Sequence, residues 1–269
     1  MTVQESWKFA MKAVFNYLWS GWGALASILL FFALWDYGNQ VYGSFILPAP
    51  QETLLRLFQL FREGVAGPEL LVTTYRSLAG FGIALLAGSL LGILAGLSMT
   101  TAMASRPLIT ILIGIPPIAW IVLALLWFGA TDSTPIFTVV VTSLPVTFAA
   151  GVQGARTLDG NLREMARAFN ASWWLSFREV HLPHILSCLF PAWITALGMS
   201  WKVVVMAELL SSNSGVGAGL ATARVNIDTS ATLAWIVAIV GALLFAEYAV
   251  LEPVKRRLEA WRAISSSSS

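Results

Sequence analysis

Two ionisable residues stand inside an apolar run, Gly198-Met-Ser-Trp-Lys-Val-Val-Val-Met-Ala-Glu-Leu-Leu210. A charge placed in hydrocarbon costs roughly 2.5–3.5 kcal/mol on insertion scales, so Lys202 and Glu208 must each face a cavity or an opposite charge. Helix neighbours lie three or four positions apart, and these two lie six apart, so they do not pair well on one helix. Lys202 is therefore open between a solute path, where it favours an anion, and a partner on another helix, such as Glu247 or a carbonyl. Trp201 beside it is a further candidate for that path. Glu208 is followed by Gly215-Val-Gly-Ala-Gly219, whose glycines suit a re-entrant or gate loop with dihedrals that other residues avoid. Gly215 and Gly217 are its candidate gate positions. They are not a nucleotide fingerprint, because no strand precedes them and no acidic residue follows at the required distance.

The other chemically expressive residues point to transport rather than catalysis. Ile115-Pro-Pro-Ile-Ala-Trp120 removes two consecutive backbone donors, so a helix there must bend or break. Irregular backbone at membrane depth survives only where protein or a water-filled cavity satisfies its carbonyls. Pro116, Pro117 and Trp120 are thus candidates for the path, or equally for a structural kink. His181 and His184 flank Pro183; without a third ligand they read as interfacial hydrogen-bonding groups, not as a metal site. Cys188, the one cysteine, reads as a small buried hydrophobe. The sequence contains no P-loop and no nucleophile–base constellation, so this chain is not expected to hydrolyse ATP or to bind a cofactor.

A polar interruption runs from Asp159 to Pro183 between two apolar regions. Asn161 with Glu164 three residues later has the spacing of a capping box, which predicts a helix over about 162–169. Asn170 suits a left-handed stop, Ser172 caps a second short helix, and Pro183 ends it. The stretch resembles the EAA loop of ABC importer permeases, through Glu164-Met165-Ala166, Asn170, Val180 and Leu182-Pro183 at the family's spacing. Met165 and Asn170 depart from its Ala and Gly. The Pro-Pro-x-Ala-Trp stretch at 116–120 resembles that of nitrate, sulfonate and taurine permeases. Ala207-Glu208 and the glycines after it are similar to the turn beyond the family's fifth span.

Composition agrees with a membrane protein: 57% of residues are hydrophobic and 11% charged, with a mean hydropathy of +0.75. The net charge of +2 gives no reason to expect a nucleic-acid partner. The expected fold is all-α and polytopic, with six transmembrane helices. Residues 1–20 form an interfacial helix, 21–43 hold the first span (about 22–37), and 44–76 make a periplasmic loop. In that loop, Thr53–Glu63 is amphipathic, with Leu54, Leu57, Phe58 and Phe61 on one side. A permease core at 77–254 holds five spans and the loop 156–183, and 255–269 is a tail ending in a serine run. The spans fall at about 78–99, 107–128, 136–152, 185–206 and 233–251. Ala84, Gly88, Gly92 and Gly96 recur every four residues and predict a close helix contact. Lys8, Lys12, Arg106, Arg156, Arg163, Arg167, Arg178, Lys255, Arg256, Arg257 and Arg262 then share one side, which the positive-inside rule makes cytoplasmic. Arg56, Arg62, Arg76 and Arg224 fall outside or at the outer boundary.

The resemblance implies a type I ABC importer permease of the nitrate/sulfonate/bicarbonate/taurine branch in the cytoplasmic membrane, with both termini inside. It implies separate ATPase subunits that carry the ATP and Mg and dock on Arg163, Glu164, Ala166, Arg167, Ala168, Phe169 and Asn170. It also implies a periplasmic or lipid-anchored solute-binding protein and a second permease copy as a homodimer. A stand-alone ion-coupled secondary transporter is the alternative; it predicts inverted repeats and midplane acids, neither of which is evident.

Overall fold

The computed structural model describes residues 3–157, 172–246 and 248, which are helical throughout apart from short turns. The first helix, α1 (Val3–Tyr42), runs without a break through the segments expected as an interfacial helix and a first span. It is held at its C-terminal end, where Trp35 Nε1 donates to the Pro48 carbonyl (2.9 Å) and Asn39 Nδ2 to that of Leu47 (2.7 Å). Leu25, Ile28, Leu29, Phe31 and Leu34 are exposed, as lipid-facing side chains would be.

Helix α2 (Pro50–Arg62) begins on a proline, carries Glu52 in its first turn and Arg62 in its last, and stops before Gly64 at φ +74°. The side it buries is Pro50, Thr53 and Leu60, with Leu57 partly covered; Leu54, Phe58 and Phe61 are exposed. The apolar stripe read from the sequence is therefore not the packed side. In lipid, large apolar side chains gain nothing by turning inward, so helices pack through small residues and hydroxyls instead.

The same inversion governs the bundle. Helices α3 (Ala66–Gly96) and α6 (Ser133–Arg156) lie against each other along the predicted glycine stripe. A Cβ at Gly88 would strike the Thr147 hydroxyl, one at Gly92 the Phe148 carbonyl, and one at Gly96 would sit 2.6 Å from the Ala155 Cβ. Thr147 Oγ1 donates across the interface to the Ala84 carbonyl (2.9 Å). Ala84, Ala124, Ala196, Ala207 and Ala234 are fully buried, whereas Leu86, Leu90 and Leu94 are exposed.

The third expected span is two helices. α4 (Met99–Gly114) starts well before Pro107, which lies inside it rather than opening it, and α5 (Pro117–Phe128) meets it at 89°. Ile115 and Pro116 are extended at the break, and Pro116 and Pro117 offer no donor to the carbonyls of Leu112 and Ile113.

Helix α7 (Trp173–Ser176) is capped by Ser172 Oγ, which accepts from Leu175 N at 3.2 Å, as the sequence predicted. Pro183 does not end that helix. A π-helical turn, Phe177–His181, leads directly into α8 (Leu182–Ser211), where Pro183 occupies the first turn. The wider π turn accommodates the proline ring without terminating the rod. A short α9 (Val216–Val225) and α10 (Thr229–Ala246) complete the described chain, and Asp228 Oδ1 caps α10 by accepting from Ala231 N (2.9 Å).

Among the described residues, α3, α6, 174–211 and α10 are each long and apolar enough to cross a membrane, and the bent α4–α5 pair brings the number to five where it counts as one span, against the six expected. The stretch expected as the first span, about 22–37, lies in α1.

Candidate functional site

The most polar point in the bundle lies at one end of α3 and α8. Arg76 of α3 and Glu208 of α8 are 3% and 0% exposed and form an ion pair at 2.9 Å. Glu208 also accepts from the Thr73 hydroxyl (2.7 Å) and from the backbone N of Gly217 (3.1 Å). Its two oxygens therefore meet three donors, which is what makes a buried carboxylate tolerable. Arg76 uses the rest of its planar fork on two loops. Nε donates to Asp132 Oδ1 at 3.0 Å with Nη2 on the same oxygen, while Nη1 reaches the Ser214 carbonyl (2.7 Å) and Nη2 the Ser214 hydroxyl (2.8 Å). A lysine could not make this set of bonds from one position.

The α8–α9 connection is folded onto this pair. Val216 N donates to Thr73 Oγ1 (2.8 Å), and Gly215 N donates to the Glu69 carboxylate. Gly215 has φ +97°, and a Cβ there would collide with the Glu208 carboxylate. At Gly217 a Cβ would lie 2.6 Å from Glu208 Cβ. These two glycines are required because the backbone must pass directly over the acid. The sequence singled out Glu208, Gly215 and Gly217, and the structure brings all three together.

Arg76, Thr73 and Glu69 were missed. Arg76 was counted as an outer-boundary charge, although a membrane-embedded Glu208 without a partner on its own helix calls for a cation on another. That demand was the available signal.

Lys202 lies elsewhere. It is exposed on α8 and lines a cavity of about 280 Å³ with Thr195, Gly198 and Met199. Among the described residues it has no ion pair; Glu247, the partner considered for it, lies outside them. Trp201 is buried and lines both the Lys202 cavity and an apolar one of about 600 Å³ between α2, α3, α8 and α10. Pro116 is exposed at the α4–α5 break and Pro117 half-buried, and the Trp120 Nε1 is sealed from solvent without a hydrogen-bond partner among the described residues. His181 Nδ1 donates to the Ser176 carbonyl (3.1 Å) and His184 Nε2 meets Thr157 Oγ1 at 3.2 Å, so the two rings serve separate bonds. Cys188 is half-buried against Gly154. The expected docking residues Arg163, Glu164, Ala166, Arg167, Ala168, Phe169 and Asn170 lie outside the described residues.

A bundle of helices long and apolar enough to cross a membrane, packed on small residues around a buried charge cluster, defines an integral membrane protein. Residues 88–257 match the family described as binding-protein-dependent transport system inner membrane component, and the chain belongs to that family. It is 31% identical over 234 residues to the putative aliphatic sulfonates transport permease protein SsuC of Bacillus subtilis, covering 86% of this chain and 84% of that one. It is 26% identical to the taurine transport system permease protein TauC of Escherichia coli, over 82% of each chain. To the nitrate import permease protein NrtB of Leptolyngbya laminosa it is 31% identical over 53% of this chain and 51% of the other. The chain is the permease subunit of an ABC importer.

Proposed function

We propose that two copies of this chain form the translocation path of an importer for a small anionic solute of the sulfonate, taurine, nitrate or bicarbonate kind. Two ATPase subunits, which bind the ATP and Mg, dock on residues 163–170, and a solute-binding protein delivers cargo to the outer face. Both termini and the docking loop face the cytoplasm, in line with the distribution of basic residues. The observation that carries the solute class is Lys202. An ammonium on the exposed side of a membrane-crossing helix, beside a cavity and a threonine, has reason to be there only if an anion or water meets it.

Pro116, Pro117 and Trp120 belong to the same path at the broken span, where the two prolines leave the Leu112 and Ile113 carbonyls without their helix donors. Trp201 backs Lys202 from the protein side. Glu208, Gly215 and Gly217 form the outer gate. ATP-driven closure of the ATPases displaces the docking segment at 163–170, and rigid-body rocking of the bundle follows.

The reading is tested by co-expressing the tagged chain with its ATPase. Glu164→Ala and Ala166→Asp are expected to abolish ATPase copurification while the permease still inserts. Unchanged copurification removes the docking role. In proteoliposomes, Lys202→Ala is expected to raise the half-saturating concentration for taurine or sulfonate uptake, and an unaltered value refutes the anion path.

A further inference from the structure

The partners of Arg76 fall into two tiers. The inner tier is sealed: Glu208 is 0% exposed and accepts from the Thr73 hydroxyl and Gly217 N as well as from Arg76. The outer tier is wet. Asp132 is 68% exposed, Ser214 is half-buried, and Asn213 next to it is exposed. One guanidinium belongs to both tiers, with Nη1 on Glu208 and on the Ser214 carbonyl, and with Nε and Nη2 on Asp132 and the Ser214 hydroxyl.

Its neighbours differ in how firmly they are fixed. α3 and α6 are locked together along the glycine stripe, so Arg76 and Asp132 sit on one stiff body. Residues 212–214 are instead attached to that body through Ser214, by its two bonds to Arg76, while Gly215 beyond them is buried over the Glu208 carboxylate. Water can replace the Ser214 bonds, because Ser214 is half-buried and Asn213 beside it is exposed. The Glu208 pair is covered by Gly215 and Gly217 and cannot be hydrated in the same way. Residues 212–214 can therefore lift away while Gly215 stays in place and the buried charges remain compensated.

We propose that Arg76 is a positioning residue for transport: it straps the α8–α9 loop to the α3–α6 body in the resting state, and the strap releases during the transport cycle while the Arg76–Glu208 pair persists. This rests on the permease reading and extends it to a residue outside the solute path.

Arg76→Lys separates the two roles. One ammonium can neutralise Glu208 but cannot also hold Asp132 and both Ser214 oxygens. The full complex, with a cysteine-depleted ATPase, is placed in nanodiscs with a nitroxide at Asn213→Cys and the single native cysteine changed by Cys188→Ser. With Arg76 present, the label should be immobilised at rest and become mobile with ATP and vanadate. With Arg76→Lys it should be mobile at rest, and ATP hydrolysis without binding protein should rise roughly threefold to tenfold.

Identical resting spectra for the two complexes overturn the strap, and a label unmoved by ATP and vanadate overturns its release. Should Arg76→Lys fail to assemble, Ser214→Ala removes the hydroxyl acceptor and Asp132→Ala the carboxylate, and both leave the inner pair. Both should give intermediate mobility, and unchanged spectra in both overturn the proposal. A complex with Arg76 intact that loses its ATPase counts against the docking arrangement instead.

Discussion

Replacing Arg76 by leucine should destabilise this protein more than replacing both members of its ion pair. Arg76→Leu leaves Glu208, a carboxylate with no solvent exposure, facing two neutral donors in place of two neutral donors and a cation. Removing one partner of a buried pair typically costs about 3–5 kcal/mol, because the stranded charge keeps its desolvation penalty. The Asp132 arm adds little to that figure, since its carboxylate is mostly in water and regains hydration. In Arg76→Leu/Glu208→Leu the stranded charge is gone. What remains is the loss of hydrogen bonds to Thr73, Ser214 and Gly217, at about 1 kcal/mol each. Part of that is offset by apolar packing, so the double variant should recover a substantial share of the lost stability. With 1 kcal/mol worth about 2–4 °C in a domain of this size, the single variant should melt roughly 6–20 °C lower and the double variant should lie between it and the parent. Thermal unfolding of the purified complex in detergent, followed by size-exclusion chromatography with fluorescence detection, measures all four corners of the cycle. Additive losses, with the double variant the least stable, would refute the claim that the pair is electrostatically coupled.

Other substitutions separate further parts of the argument. Gly88→Leu must push α3 away from Thr147, and should cut the yield of folded protein sharply, whereas Gly82→Leu, with open space around it, should leave yield and melting temperature unchanged. Pro116→Ala/Pro117→Ala restores donors to the Leu112 and Ile113 carbonyls and favours one straight helix. It should increase thermal stability while abolishing uptake, and full retention of uptake would make the 89° break incidental. Asp228→Ala removes the cap of α10 and should cost about 1 kcal/mol, read as a drop of a few degrees in melting temperature.

What the sequence disclosed and what it withheld have physical causes. The glycine stripe at 84–96 was legible because a four-residue spacing of side chains without bulk has one use in lipid, close approach of a second helix. The proline pair was legible because two missing N–H groups cannot be hidden. The buried side of α2 was not, since the usual inference from apolar to inward assumes water outside. With hydrocarbon outside, Leu54, Phe58 and Phe61 are at rest on the surface and Thr53 and Leu60 carry the contact. Pro183 misled for a related reason. A proline forbids a bond in the turn before it, and here a single π turn absorbs that loss so the rod continues to Ser211.

Arg76 shows most clearly how the search for function in such a chain should run. Counting basic residues by side places it among outer-boundary charges, because that rule asks only which face a cation lies on. Asking instead what must neutralise Glu208 narrows the field at once. The acid lies near the C-terminal end of its helix, so its partner must lie at the same end of the bundle on another helix. Arg56 and Arg62 belong to the surface helix α2, and Arg224 to α9, beyond the loop that Glu208 anchors. Arg76 is the remaining arginine of that set, about two turns from the start of the small-residue contact that fixes α3 in place. Its fork then needs acceptors beyond Glu208, and the polar residues of the two outer loops, Asp132 and Ser214, provide them. A charge in a membrane protein is thus best read by the partner it requires, and that requirement leads from Glu208 to Arg76 and on to Asp132 and Ser214.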